Sequence, residues 1–209
     1  MRHGWLVLRV VMVREALLHI GPWLMVIWFL SAIFKRYAGK KPIKKAIALA
    51  LAATVISFTP LGQLSLAEYI LSFLPSFSGG SIFIFILLIA RNLFNKNLLY
   101  DREETYFLIA GAGYTSILTL SSLGILPFDL YSYGYGDTWV IALLLFIAVF
   151  LIIAGSNIIW WVIVAQALWV FSIIPSGNLH DALTDFVFLI ACVSMLALRG
   201  RGLLKPGGV

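Results

Sequence analysis

The chain has 209 residues, 62% of them hydrophobic and only 11% charged, with a mean hydropathy of +1.01. A soluble domain is nearer half apolar and a quarter charged, so this composition excludes an ordinary water-facing shell. The net charge of +6 and the isoelectric point near 9.6 do not indicate nucleic acid: the basic residues sit in loops beside apolar segments, where orientation and anionic lipid headgroups account for them.

At about 20 residues per crossing, the chain holds roughly six or seven transmembrane helices and almost no domain outside the bilayer. The expected fold is all-α, a polytopic integral membrane helix bundle. It forms a single transmembrane domain over 1–209, with 1–15 as an interfacial N-terminal segment. In that segment Arg2, Arg9 and Arg14 stand among Trp5, Leu6, Val7, Leu8, Val10 and Val11. This is too charged to cross the bilayer and too apolar to float free. Arg9 and Arg14 interrupt the apolar core that a signal peptide requires.

The first span runs from about Ala16 to Phe34, with Gly21-Pro22 as a kink or cap near its start. The stretch Lys35–Lys45 (KRYAGKKPIKK) then gathers six of the fifteen Lys and Arg residues. A short loop this basic resists translocation and stays cytoplasmic. It outweighs the three N-terminal arginines, which pull the other way. Span two is about Ala46–Thr59, and its alanines permit close helix contact. Residues 63–80, with Glu68, a proline and a Gly-Gly break, read as an external interfacial helix and turn. Span three follows at Ser81–Phe94 and is short for a crossing.

The loop Arg91–Glu104 mixes both signs; Lys and Arg decide sidedness, which places it inside. Span four, Thr105–Ser122, carries Ala110-Gly111-Ala112-Gly113, a patch for close helix packing rather than a nucleotide loop, since no strand precedes it. Residues 123–138 form an external loop without Lys or Arg. Span five is Trp139–Ala154, the turn Gly155-Ser156-Asn157 reverses the chain, and span six is Ile158–Ile174. Residues 175–185 are external. Span seven, Phe186–Leu198, ends at Arg199, Arg201 and Lys205 on the inside. Beyond the N-terminal region every Lys and Arg falls on the cytoplasmic side, and Glu68, Asp129, Asp137, Asp181 and Asp185 fall on the other. The expected location is a plasma (inner) membrane, crossed several times, with the Lys35–Lys45 loop and the C-terminus cytoplasmic.

Chemistry is harder to find. Ser132-Tyr133-Gly134-Tyr135-Gly136-Asp137 resembles the TVGYGD selectivity filter of potassium channels, whose backbone carbonyls replace an ion's hydration shell. It matches at Gly134, Tyr135, Gly136 and Asp137, and Ser132 stands for threonine. Tyr133 replaces a β-branched valine, and Gly124 and Pro127 leave little room for a pore helix. We read it as an interfacial loop with its tyrosines at headgroup level. Asn178, His180, Asp181 and Asp185, with Asp129 and Asp137 from the neighbouring external loop, place an outward-facing histidine beside several carboxylates, a set that could bind a divalent metal or act as an acid/base pair. The spacing HDALTD matches no zinc pattern, and Asn178 with Asp181 also fits the capped start of a helix. Asp185 lies either at the interface, the position we favour, or a turn inside the membrane, where a carboxylate marks function.

No P-loop, HExxH, GxSxG or paired Asp motif is present, so no catalytic, metal or cofactor-binding residues are assigned. The candidate ligand-binding residues are Asp129, Tyr133, Tyr135, Asp137, Asn178, His180, Asp181 and Asp185. Cys192 reads as a packing residue, and Trp160, Trp161 and Trp169 as bilayer anchors. The expected function is a non-enzymatic membrane subunit of a larger inner-membrane complex, for transport or envelope biogenesis, with lipids and other membrane subunits as partners. Two alternatives stand beside it. One is a small-molecule transporter or its substrate-binding subunit, whose size resembles the six-helix substrate-binding components of energy-coupling-factor vitamin transporters. The other is a membrane enzyme acting on a lipid-linked substrate at the outer face.

Overall fold

A computed structural model describes residues 11–37, 42–135, 138–170 and 176–201. The architecture is all-helical. In chain order the elements are α1 (Val11–Ile33), α2 (Pro42–Phe58), a hairpin of strands β1 (Pro60–Leu61) and β2 (Leu64–Ser65), α3 (Leu66–Phe73), α4 (Gly79–Phe94), α5 (Asp101–Ser122), α6 (Thr138–Ile153), α7 (Ile159–Val170), α8 (Leu179–Leu183) and α9 (Phe186–Gly200). Between α2 and α3 the antiparallel hairpin pairs Pro60 with Ser65, and Gly62 at φ +85° makes its turn.

Local chemistry sets several boundaries. Ser65 and Glu68 form a capping box that starts α3: Ser65 Oγ accepts from the Glu68 amide at 3.3 Å, and the Glu68 carboxylate accepts from the Ser65 amide at 2.6 Å. α5 begins at Asp101, four residues before the expected span, because Asp101, Glu103 and Glu104 crowd its first turn and complement the helix dipole. α4 ends on Asn95 in the left-handed region, φ 52°.

The centre of the molecule is α4, which is buried on both faces. On one side lie α1 and α2; on the other, α7, α8 and α9, with α5 in ring contact through Phe107. Phe107 of α5 sits at the heart of the second side, its ring 5.4 Å from Phe83, 5.5 Å from Trp161 and 5.5 Å from Phe188. Close approach here requires glycine. A Cβ at Gly79 would meet the Ala165 backbone at 2.7 Å, and one at Gly80 the Leu183 carbonyl at 2.8 Å. Of the small-residue patch in α5, Gly111 takes the Phe188 ring, while Gly113 borders open space.

Two polar clasps join the ends of α4, α5 and α9. At one end Glu104, itself buried, binds Arg91 and Arg199 at 2.6 Å each. At the other, Asp185 caps α9 through the Phe188 amide (2.7 Å) and also accepts from the Ser78 amide and Ser81 hydroxyl (2.6 Å each) at the start of α4. Its charge therefore faces two helix N-termini at once.

Among the described residues, one helix, Val11–Ile33, is long and apolar enough to cross a membrane; four other apolar helices run to 10–17 residues. The most apolar of these helices lies at the margin. α6 packs chiefly on α7 and presents Phe146, Phe150 and Ile153 outward, Ile153 at 80% exposure.

Candidate functional site

The site forms where the 3-10 turn Tyr131–Gly134, the short helix α8 and the middle of α5 converge. Ser121, near the end of α5, holds the intervening loop: its hydroxyl donates to the Phe128 carbonyl (3.0 Å) and accepts from the Leu130 amide (2.8 Å). Asp129 then starts the turn, accepting from the Ser132 amide at 3.2 Å.

Asn178 links turn and helix. Its Oδ1 accepts from the His180 amide (2.8 Å), which caps α8 as its residue type predicts, and its Nδ2 donates to the Tyr131 carbonyl (2.9 Å). The residue is wholly buried, so both bonds stand in for water. Gly134 fits beneath it. A Cβ at Gly134 would run into Asn178 Oδ1 and lie 2.6 Å from His180 Cδ2. The glycine of the filter-like string therefore serves helix contact, and its neighbouring Tyr131 and Ser132 carbonyls are occupied by Asn178 and by the Tyr135 amide.

From sequence, His180 is expected to face outward among carboxylates. The fold turns it inward: α8, capped by Asn178, packs on α7 and α4. The residue is 7% exposed, and Nδ1 lies 2.5 Å from the Tyr114 hydroxyl. Nε2 is buried without a hydrogen bond of normal geometry. Burial holds the imidazole pKa below the ordinary histidine value, against opposing pulls from the Leu130 backbone and the Asp181 carboxylate.

The remaining predicted residues divide. Asp181 accepts from the Tyr131 hydroxyl at 2.7 Å and from the Ser176 hydroxyl. Burial, then the bond to Asp181, pushes the Tyr131 phenol well above its usual range, so it remains a donor. Tyr135 stacks edge-on against Tyr131 at 5.8 Å. Asp185 is committed to the clasp between α4 and α9, and Asp137 lies outside the described residues. Sequence reasoning missed Tyr114 and Tyr131. For Tyr114 the available signal was a phenol set among the small residues of AGAGYTS, in the middle of an apolar helix.

Below the His180–Tyr114 pair opens a cavity of about 470 Å³ between α5, α6 and α7. Its wall includes Tyr106, Gly111, Leu118, Leu143, Leu144, Ile147, Trp161 and Val162, with Leu130, Tyr133 and His180 at the turn end. The volume falls in the range of small-molecule sites, and so does the makeup: apolar walls with few convergent polar groups. Among the described residues no group of three His, Cys, Asp or Glu side chains is placed to hold a metal ion. Compared with protein-family models, curated proteins and solved structures, the chain matches none.

Proposed function

We propose that this chain is a multi-pass integral membrane subunit that binds an apolar ligand, a non-enzymatic component of transport or envelope biogenesis. The observation that carries the reading is the cavity between α5, α6 and α7, lined at one end by the half-buried Tyr114 and the buried His180. Of the three functions weighed from sequence, the substrate-binding subunit fits this geometry best. An acid/base enzyme would want a carboxylate on the imidazole, yet Asp181 is engaged by Tyr131 and Ser176.

The membrane part of the proposal rests on the surface. Leu51 and Val55 of α2, Phe146 and Phe150 of α6, and Ile190 and Val193 of α9 are all exposed, while Glu104, Asn178 and Ser81 are buried. Soluble proteins rarely display such continuous apolar surface. Lipid is the solvent that suits it. The helices shorter than a full crossing are accommodated by local thinning and by flanking polar residues. The Arg91–Glu104–Arg199 end faces the cytoplasm in this reading, and the His180 end faces out.

Native mass spectrometry of the gently extracted chain tests the binding role. The unaltered protein is expected to carry a bound apolar molecule, and Leu144→Trp, which fills the cavity, to lose it at unchanged expression. An unaltered chain that flies empty, or a ligand that Leu144→Trp leaves in place, overturns the assignment.

A further inference from the structure

We infer that the basic end of the bundle is a docking surface for anionic phospholipid headgroups, met by Lys35, Lys44, Lys96, Arg102 and Arg201 as one collar. The inference rests on the membrane part of the reading above and names the lipid class; it does not depend on the cavity.

Side-chain bonds gather the helix ends that carry these residues. Asn92 Nδ2 donates to Ser31 Oγ at 3.1 Å, which sets the end of α4 beside the end of α1. Lys45 Nζ donates to the Phe34 carbonyl at 2.5 Å and brings the start of α2 to the same place. Arg91, Glu104 and Arg199 join the end of α4 to the start of α5 and the end of α9. Lys35 follows α1, Lys44 stands in the first turn of α2, Lys96 follows α4, Arg102 opens α5 and Arg201 follows α9. At the other end of the bundle Arg14 is the one Lys or Arg among the described residues.

All five collar cations are exposed, and none forms an ion pair among the described residues. The acids of that end are engaged or enclosed. Glu104 is buried between Arg91 and Arg199, Glu103 accepts from the Tyr100 amide at 3.1 Å, and one carboxylate oxygen of Asp101 is sealed from solvent. The counter-charge therefore comes from outside the chain. Apolar neighbours decide its source: Phe34, Ile43, Phe94, Leu98 and Tyr100 stand exposed among the cations. A small soluble anion leaves that surface wet. A bilayer answers both, since acyl chains cover the apolar side chains while headgroup phosphates meet the cations. Zwitterionic headgroups bring a cation with each phosphate, so the collar selects anionic lipid.

The full chain in neutral detergent is titrated with an equal mixture of phosphatidylglycerol and phosphatidylcholine carrying the same acyl chains. Bound lipids are counted by native mass spectrometry. Phosphatidylglycerol is expected to exceed phosphatidylcholine by about tenfold. The combined change Lys35→Gln, Lys44→Gln, Lys96→Gln, Arg102→Gln and Arg201→Gln removes no ion pair or side-chain hydrogen bond of the described fold. It should bring the ratio to about two, while Arg14→Gln leaves it unchanged. A ratio that the combined change does not lower, or a fall of the same size at Arg14→Gln, overturns the inference. Glycerol 3-phosphate, which carries the phosphate without acyl chains, should not displace the lipid; displacement overturns the bilayer as the source. A chain that stays dispersed without detergent or lipid removes the membrane reading and this inference together, whereas equal retention of both lipids removes this inference alone.

Discussion

His180 is where a single residue's environment has a measurable consequence. Its folded-state pKa lies below the unfolded value near 6.5. The unfolded chain therefore takes up a proton that the folded chain refuses. Stability from this group is complete above about pH 6.5 and declines as pH falls from there toward the folded pKa. A denaturation series in detergent from pH 8 to pH 5 should show that decline, and His180→Phe should flatten it. Glu68 does not interfere in this window. Its bonds to Ser65, the backbone one first, lower its pKa from 4.5, so its contribution is lost only at more acid pH. Some of this was legible in the residues themselves. The Ser65–Glu68 capping box is a four-residue pattern, and Asn178 before a short apolar run is a local cap signal. The Tyr114–His180 bond was not, since it joins positions 66 apart and depends on how two helices meet.

Among the elements, the Glu104 clasp makes the clearest case. Three helix ends are tied by one carboxylate and two guanidiniums, with Arg199 also donating to Thr105. Removing one partner from a buried ion group strands the others, and the partly exposed arginines recover some hydration. Glu104→Ala is therefore expected to cost about 2–3 kcal/mol, read as a lowered thermal midpoint in detergent. The additional change Arg91→Ala should then add little, since the two residues act as one unit. From sequence, Glu104 was an acid in a mixed-charge loop that carried no weight for orientation. Its burial follows from α5 starting at Asp101, which brings Glu104 under the ends of α4 and α9. The helices themselves were readable from apolar runs bounded by Gly, Pro and charge, because that signal is local.

For the whole molecule, composition raised the expectation of a lipid solvent and offered none for chemistry. Charges sort along the chain, and the fold gathers Arg91, Glu104 and Arg199 at one end and Asp129, Asn178 and Asp185 at the other. A topology experiment uses the single cysteine to advantage, since Cys192 is buried against Phe188 and Gly111. In a Cys192→Ala background, Asp129→Cys should react with a membrane-impermeant maleimide on intact cells, and Lys96→Cys only after permeabilisation. The same labelling at both positions without permeabilisation would remove the multi-pass orientation.

The unequal fastening of the helices has a mechanical consequence. α4 and α9 are clasped at both ends and α5 at one, by Glu104 and Asp185, whereas α6 rests on α7 by apolar contact and otherwise faces outward. On the membrane reading proposed above, apolar surface gains nothing by leaving lipid, so that contact is held by packing alone. On the proposed membrane and binding reading, a guest dissolved in the bilayer would enter sideways, past α6, while the clasps hold the helices that carry Tyr114 and Asp185 together.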